Sequence, residues 1–296
     1  MAMEQQSINE LIKLLDLEEI EKNHYRANSP KDGWQRVYGG QVIGQALVAA
    51  ANTVPQERHA HSLHGYFLRP GDTQIPILYT VDRIRDGRSF TTRRVVAIQH
   101  GKAIFNMSIS FQVAETGFDH QLPMPEAPPP ESLKDERELR REWSSRSPEK
   151  STESFYREQP IDIRPVDPVD IFHPTKRPPS QMCWMKAREK LPDDLRAHQC
   201  VLAYLSDWSL LDTATLPHAV SFTQSNMQVA SLDHAMWFHR PFRADEWLLY
   251  VQDSPSANGA RGLNRGLIYT EAGVLVASAT QEGLIRIHDE EETSGS

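Results

Sequence analysis

The stretch that opens at Gly39-Gly40 and ends before Pro55 constrains the fold more than any other part of this chain. Val42, Ile43, Ala46, Leu47 and Ala50 recur at helical spacing after Gly39-Gly40, Gln45 interrupts the apolar run from Val42 to Ala51, and the signal ends before Pro55. A helix that is apolar on nearly every side cannot lie on a surface, so other elements must enclose it. Candidates follow at once. His59 to Leu68, Gln74 to Arg83, Phe90 to Ile98 and Ala103 to Gln112 read as strands, with turns marked by Pro70-Gly71, Asp86-Gly87 and His100-Gly101. The pattern predicts one buried helix followed by four antiparallel strands. Upstream, Ile8 to Leu17 after the candidate cap Ser7 is expected to form a short covering helix.

The second half repeats this order. Strand-like stretches around Ile161 to Val166 and Met182 to Arg188 lead to a helical signal that opens at Pro192-Asp193-Asp194 and takes in Leu195, Val201, Leu202, Leu205, Leu210 and Leu211. Strands recur at Gln228 to His239, Glu246 to Val251, Gly262 to Tyr269 and Val274 to Ile285. Tyr66-Phe67-Leu68-Arg69-Pro70 matches Trp237-Phe238-His239-Arg240-Pro241, and Gly101 and Gly273 each open a final apolar strand. A repeat of this length indicates paired domains, not a solenoid. The boundaries expected are 1–114 for the first copy, 115–154 for a Pro-rich and charged linker, 155–288 for the second copy and 289–296 for an acidic tail. A long apolar helix wrapped by a curved antiparallel sheet is the hotdog layout. The fold class predicted is therefore α+β, a double hotdog whose two sheets meet edge to edge.

Composition removes several alternatives. The formal net charge of -8, with both signs interspersed, argues against a nucleic-acid groove. Cys183 and Cys200 sit in apolar stretches without ligand-like spacing and read as reduced core residues. The longest apolar run falls far short of the roughly 20 residues a membrane span requires. No basic start with an apolar segment opens the chain and no Ser-Lys-Leu closes it, so the cytoplasm is the expected compartment. His59, His61 and His64, or His234 and His239, suggest metal ligands, but no Cys or paired carboxylate accompanies them at zinc-like spacing, and no metal or cofactor is expected. Gly39, Gly40 and Gly44 lack the preceding strand of a dinucleotide fingerprint and point to close helix packing.

Taken together, Val37 to Leu47 (VYGGQVIGQAL), His61 to Asp72, Pro192 to Asp207, Asp233 to Pro241 and Gly273 to Gly283 resemble the acyl-CoA thioesterase II family, over about Ile8 to His288. The resemblance implies an acyl-CoA substrate, use of medium to long acyl chains and assembly as a homodimer or homotetramer. It also implies that Asp207, Ser231 and Gln281 hold a hydrolytic water, with Ser231 standing where other members have Thr.

Those residue types suit the chemistry. A thioester carbonyl is already electrophilic, so a site need only hold a water in line and accept its proton. Asp207, surrounded by Tyr204, Leu205, Trp208, Leu210 and Leu211, is the expected general base, and Ser231 and Gln281 the groups that orient the water. Backbone N–H groups at a helix N-terminus would stabilise the oxyanion. Set against Gly101 and Gly273, Gln281 falls opposite Ile109, which predicts one catalytic centre per chain. His64 is a candidate substrate contact, and Arg83, Arg85 and Arg88, with Arg93 and Arg94, a candidate surface for the CoA phosphates. Two rivals stand beside hydrolysis: a hotdog hydratase or dehydratase using Asp233-His234, and a protein that binds acyl-CoA without cleaving it. Adjacent strand residues face opposite ways, which counts against Asp233 and His234 acting as a dyad.

Overall fold

A computed structural model describes residues 11–29, 36–150, 160–188 and 190–288. Among the described residues, thirteen strands form one sheet. Their ranges are β1 Glu18–Glu21, β2 His24–Ala27, β3 Arg58–Phe67, β4 Ile77–Asp86, β5 Phe90–Gln99, β6 Lys102–Val113, β7 Ile161–Pro165, β8 Ser180–Ala187, β9 Met227–Ser231, β10 Asp233–Phe238, β11 Leu248–Asn258, β12 Arg261–Thr270 and β13 Leu275–Ile287. The order is β1-β2-β4-β5-β6-β3-β10-β13-β12-β11-β8-β7, with β9 paired to the far end of β13. The halves join where β3 lies antiparallel to β10, placing Tyr66 opposite Asp233 and Ser62 opposite Trp237. Each half thereby covers an edge that the other would leave open. A glycine at positive φ precedes the last strand of each half, Gly101 at 69° and Gly273 at 82°, the region that favours glycine, although the first turn is the shorter and also holds His100 left-handed, at 49°.

Beside the sheet lie helices α1 (Gly39–Ala51), α2 (Glu136–Arg146) and α3 (Leu195–Leu205), with 3-10 helices at Pro130–Ser132, Pro148–Lys150 and Leu211–His218. As its composition requires, α1 is enclosed, and eleven of its thirteen residues are buried. Complete burial of Ile43 and near-complete burial of Leu47 stabilise the fold by ~1.5–3 kcal/mol each. α1 packs antiparallel on α3. Gly40 approaches the Tyr204 carbonyl and Gly44 the Cys200 carbonyl, while Arg196 at the start of α3 donates to the Ala51 carbonyl at the end of α1. Glycines 40 and 44 therefore serve close packing, as the sequence suggests.

Several local expectations are corrected. The second strand begins at Ile77 instead of Gln74, because the buried Gln99 amide ties up the preceding loop through the Asp72 N–H and carbonyl and the Ile75 carbonyl. The single strand expected over Gln228 to His239 divides at Leu232, where the Asp233 carboxylate accepts the Glu282 N–H in place of a strand carbonyl. The β1-β2 hairpin was not anticipated. Its strands are four residues long, and only Tyr25 and Ala27 alternate inward. Of the covering helix, residues 11–15 are helical, with Leu11 and Leu15 buried; residues 8–10 lie outside the described residues, as does the acidic tail.

The segment read as a linker is packed against the second half. Gln121 bonds to Gly273 and Leu275, and Trp184 donates its indole N–H to the Pro128 carbonyl at 2.8 Å. Met124, Ala127 and Leu133 cover Trp184, Trp247 and Tyr269 on the sheet. α2 is the surface helix expected there, started by a capping box between Asp135 and Glu138.

Candidate active site

Asp207 does not lie on a helix. α3 ends at Leu205 and Ser206 caps it; Asp207 stands in the turn that follows, and Ser209 in that turn takes a left-handed φ of 59°. Leu210 and Leu211, which share helical spacing with α3, belong to the turn and the 3-10 helix beyond it. The corrected placement gives the carboxylate three neighbours. Its Oδ1 accepts from Gln281 Nε2 at 2.7 Å, its Oδ2 accepts from the Gly40 backbone N–H at 2.8 Å, and Ser231 also bonds to it. Gln281 Nε2 donates as well to Ser231 Oγ at 2.7 Å. The structure brings together all three residues named from the sequence.

Their positions follow from the strands. Ser231 is the last residue of β9, pairs with Gly283 on β13 and turns toward the cavity where β9 gives way to β10. Gln281 is fully buried on β13, opposite Asn264 of β12, and both its N–H groups are spent on Asp207 and Ser231. It stands behind the pair and does not line the cavity.

The fourth participant, Gly40, comes from the other half of the chain, 167 residues away. Tyr38 at the N-cap of α1 makes no side-chain capping bond to the helix and the first turn contains no acid, so Asp207 is the anion that meets this helix N-terminus. Gly39 permits the approach: a Cβ there would stand 2.7 Å from Asp207 Oδ2. Burial raises the Asp207 carboxyl above its ordinary range, and the bonds from Gln281, Gly40 and Ser231 work against that rise. The outcome is a desolvated carboxylate with fixed geometry beside open space.

That space is a cavity of about 890 Å³ bounded by both halves, with Tyr38, Gly39, Asp207, Trp208 and Ser231 in its wall. Tyr38 donates to the Tyr204 carbonyl at 3.1 Å and packs edge-on against Tyr204 and Trp208. α2 adds Arg140 and Trp143 to the wall. Sequence reasoning missed Tyr38, Gly40 and α2. The Tyr-Gly-Gly opening of an apolar helix was the available signal for the first two, since a helix start without its own cap invites an anion.

The remaining candidates lie elsewhere. His64 points to the exposed face of β3, edge-on to Trp237, and does not line the cavity. Arg83, Arg85 and Arg88 are exposed at the β4-β5 hairpin, outside the cavity wall, with Arg83 bonded to Asn23. Arg93 is no part of a basic surface, because its guanidinium is buried against Asp86 and Thr53; Arg94 is paired with Asp82. Asp233 and His234 do face opposite ways. His234 is buried on Ser206, and burial pushes its pKa down to about 4, while Asp233 bonds to the Glu282 N–H. In the first half, Ile109 is a buried apolar neighbour of Leu63 and Arg93, with no amide to match Gln281.

Residues 150–284 match the family model described as acyl-CoA thioesterase, and residues 30–112 match that of the acyl-CoA thioesterase N-terminal domain. The chain is 43% identical to acyl-CoA thioesterase 2 of Haemophilus influenzae over 95% of its own length and 99% of the relative. Identity to human acyl-coenzyme A thioesterase 8 is also 43%, covering 93% of this chain and 88% of that protein. Among solved structures, the acyl-CoA thioesterase II TesB2 of Mycobacterium marinum superposes with a TM-score of 0.77 at 47% identity, over 94% of this chain and 98% of that one. A hot dog protein of Alicyclobacillus acidocaldarius, 16% identical, shares the fold with a TM-score of 0.75 across 94% of this chain and 98% of its own. Near-complete coverage at this identity, joined to the double hotdog architecture, means that the chain belongs to the acyl-CoA thioesterase II family.

Proposed function

We propose that the protein hydrolyses fatty acyl-CoA to free fatty acid and CoA by direct attack of water, at one centre per chain. The observation that carries this reading is the bonded set of Asp207, Gln281 and Ser231 with Asp207 seated on the N-terminus of α1 at the cavity wall. A water in contact with Asp207 and Ser231 would lose its proton to Asp207 as its oxygen attacks the thioester carbon. Gln281 fixes the two side chains relative to each other. The positive end of the α1 dipole favours the charge that develops on the carbonyl oxygen. Collapse of the tetrahedral intermediate breaks the C–S bond, and the thiolate leaves as CoA. A raised Asp207 pKa makes the carboxylate a better proton acceptor than an exposed one.

The test is free-thiol release from a series of acyl-CoAs by the wild type and by Asp207→Asn, which keeps the shape and removes the base. A fall in kcat of ~10²-fold or more with folding intact is expected. An unchanged rate in the variant would assign Asp207 a structural role. Acyl-CoA binding without thiol release by the wild type would favour the non-catalytic reading, and hydration of an enoyl-CoA would favour the hydratase.

A further inference from the structure

Two buried polar side chains on β11, Tyr250 and Gln252, are separated by one residue and so face the same way. Both reach the turn that carries Asp207, from opposite ends. Tyr250 donates its hydroxyl to the Ser206 carbonyl at 2.8 Å, the oxygen of the peptide that leads directly into Asp207. Its ring fits because residue 266 on the neighbouring strand is glycine; a Cβ there would stand 2.1 Å from Tyr250 Cε2. On the far side, Gln252 Nε2 donates to Ser209 Oγ at 3.1 Å and reaches the Trp208 carbonyl at 3.5 Å. Gln252 Oε1 accepts from Gln181 Nε2 at 2.8 Å and from Thr213 Oγ1 at 3.2 Å. Gln181 also bonds to the Ser209 carbonyl, and His234 Nε2 lies 2.9 Å from Ser206 Oγ.

The turn needs such support. Ser209 is a non-glycine residue at positive φ, a conformation that persists only where surrounding contacts hold it. Neither Tyr250 nor Gln252 lines the cavity, and neither bonds to Asp207, so they reach it through the Ser206–Ser209 turn, Tyr250 at the Ser206 carbonyl and Gln252 at the Ser209 hydroxyl and Trp208 carbonyl. Removing the Tyr250 hydroxyl leaves a buried Ser206 carbonyl without that donor, and the peptide is then free to rotate toward another. Asp207 moves with that peptide.

We propose that Tyr250 and Gln252 are positioning residues for the hydrolysis, holding the Ser206–Ser209 turn so that the Asp207 carboxylate meets Gly40, Gln281 and the attacking water in register. This rests on the hydrolytic reading above. The experiment compares Tyr250→Phe and Gln252→Met, alone and combined with Asp207→Asn, for kcat and KM of thiol release, the acid limb of the kcat–pH profile, and Tm. Phenylalanine still fills the space left by Gly266, so that variant should fold even if Gln252→Met does not. For each folded variant the expected result is a kcat lower by ~10–100-fold with KM changed less than about threefold, a displaced acid limb, and no additional loss in the Asp207→Asn background. A kcat within about twofold of wild type, or a loss that multiplies fully with that of Asp207→Asn, would overturn the positioning role. If the wild type releases no thiol, or Asp207→Asn is fully active, the hydrolytic reading itself falls and this proposal with it; an active wild type, an inactive Asp207→Asn and an active Tyr250→Phe overturn the positioning role alone.

Discussion

Gly39→Ala separates the demands of the site from those of the fold. An alanine Cβ at this position would lie 2.7 Å from Asp207 Oδ2 and 3.0 Å from Phe67 Cζ. An ordinary carbon–oxygen contact is ~3.3 Å, so the carboxylate must retreat by about 0.6 Å. It is not free to do so, because Oδ2 already accepts from the Gly40 N–H at 2.8 Å and Oδ1 from Gln281 at 2.7 Å. Retreat stretches the Gly40 bond toward about 3.4 Å, past the range in which such bonds are strong. The stability change is small, since alanine gains roughly 0.5–1 kcal/mol over glycine in a helix while a weakened bond costs about the same. Catalysis is more sensitive, as displacement on this scale costs on the order of 10²-fold. The expected outcome is a kcat for thiol release lower by ~10–100-fold, with Tm moved by no more than about 4 °C. An alanine variant with wild-type kcat would refute the reasoning. Gly40→Ala provides the contrast: its Cβ would meet the Tyr204 backbone carbonyl at 2.2 Å, so α1 and α3 must separate and a loss of stability of ~1–3 kcal/mol is expected by denaturant titration.

Because the Asp207 carboxyl is raised above 3.8 and works as a base only when deprotonated, kcat should fall on acidification with a midpoint above that value, and Ser231→Ala, which removes a bond holding the pKa down, should move the midpoint higher still. Asp212, whose pKa burial and the neighbouring Glu136 push up to about 7, carries an unfavourable charge in the folded state at high pH. Asp212→Asn should therefore raise Tm by an amount that is absent below about pH 3.8, grows as the unfolded chain alone deprotonates, and levels off above about pH 7; a constant difference across that window would contradict it. Arg93→Met should destabilise the fold by roughly 1–3 kcal/mol through loss of the buried bonds to Thr53 and Asp86, with KM for acyl-CoA unchanged in a steady-state assay.

Much of the architecture is legible in local pattern. The apolar run of Val42, Ile43, Ala46 and Leu47 demands enclosure whatever surrounds it, and period-two strands with glycine turns at 101 and 273 define the repeat. Asp207, Ser231 and Gln281 could be named through resemblance to a family, since each alone is an ordinary residue. Their geometry lay outside local reach. Leu210 and Leu211 continue the helical spacing of α3, so periodicity could not reveal that the backbone turns at Ser206. The run of arginines from 83 to 94 looks uniformly basic, yet strand alternation and a partner at Thr53 bury Arg93 and leave Arg94 outside. The prolines before α2 suggest a solvated tether, whereas Trp184 and Trp247 in the second half provide an apolar surface that holds this segment and is buried beneath it. Sequence periodicity determined which faces must be buried, because that depends on a residue and its near neighbours. Tertiary structure alone decided that the uncapped start of α1 would receive its anion from a turn 167 residues later, because hydrogen-bond satisfaction depends on what the folded chain brings within 3 Å, and no local pattern records that.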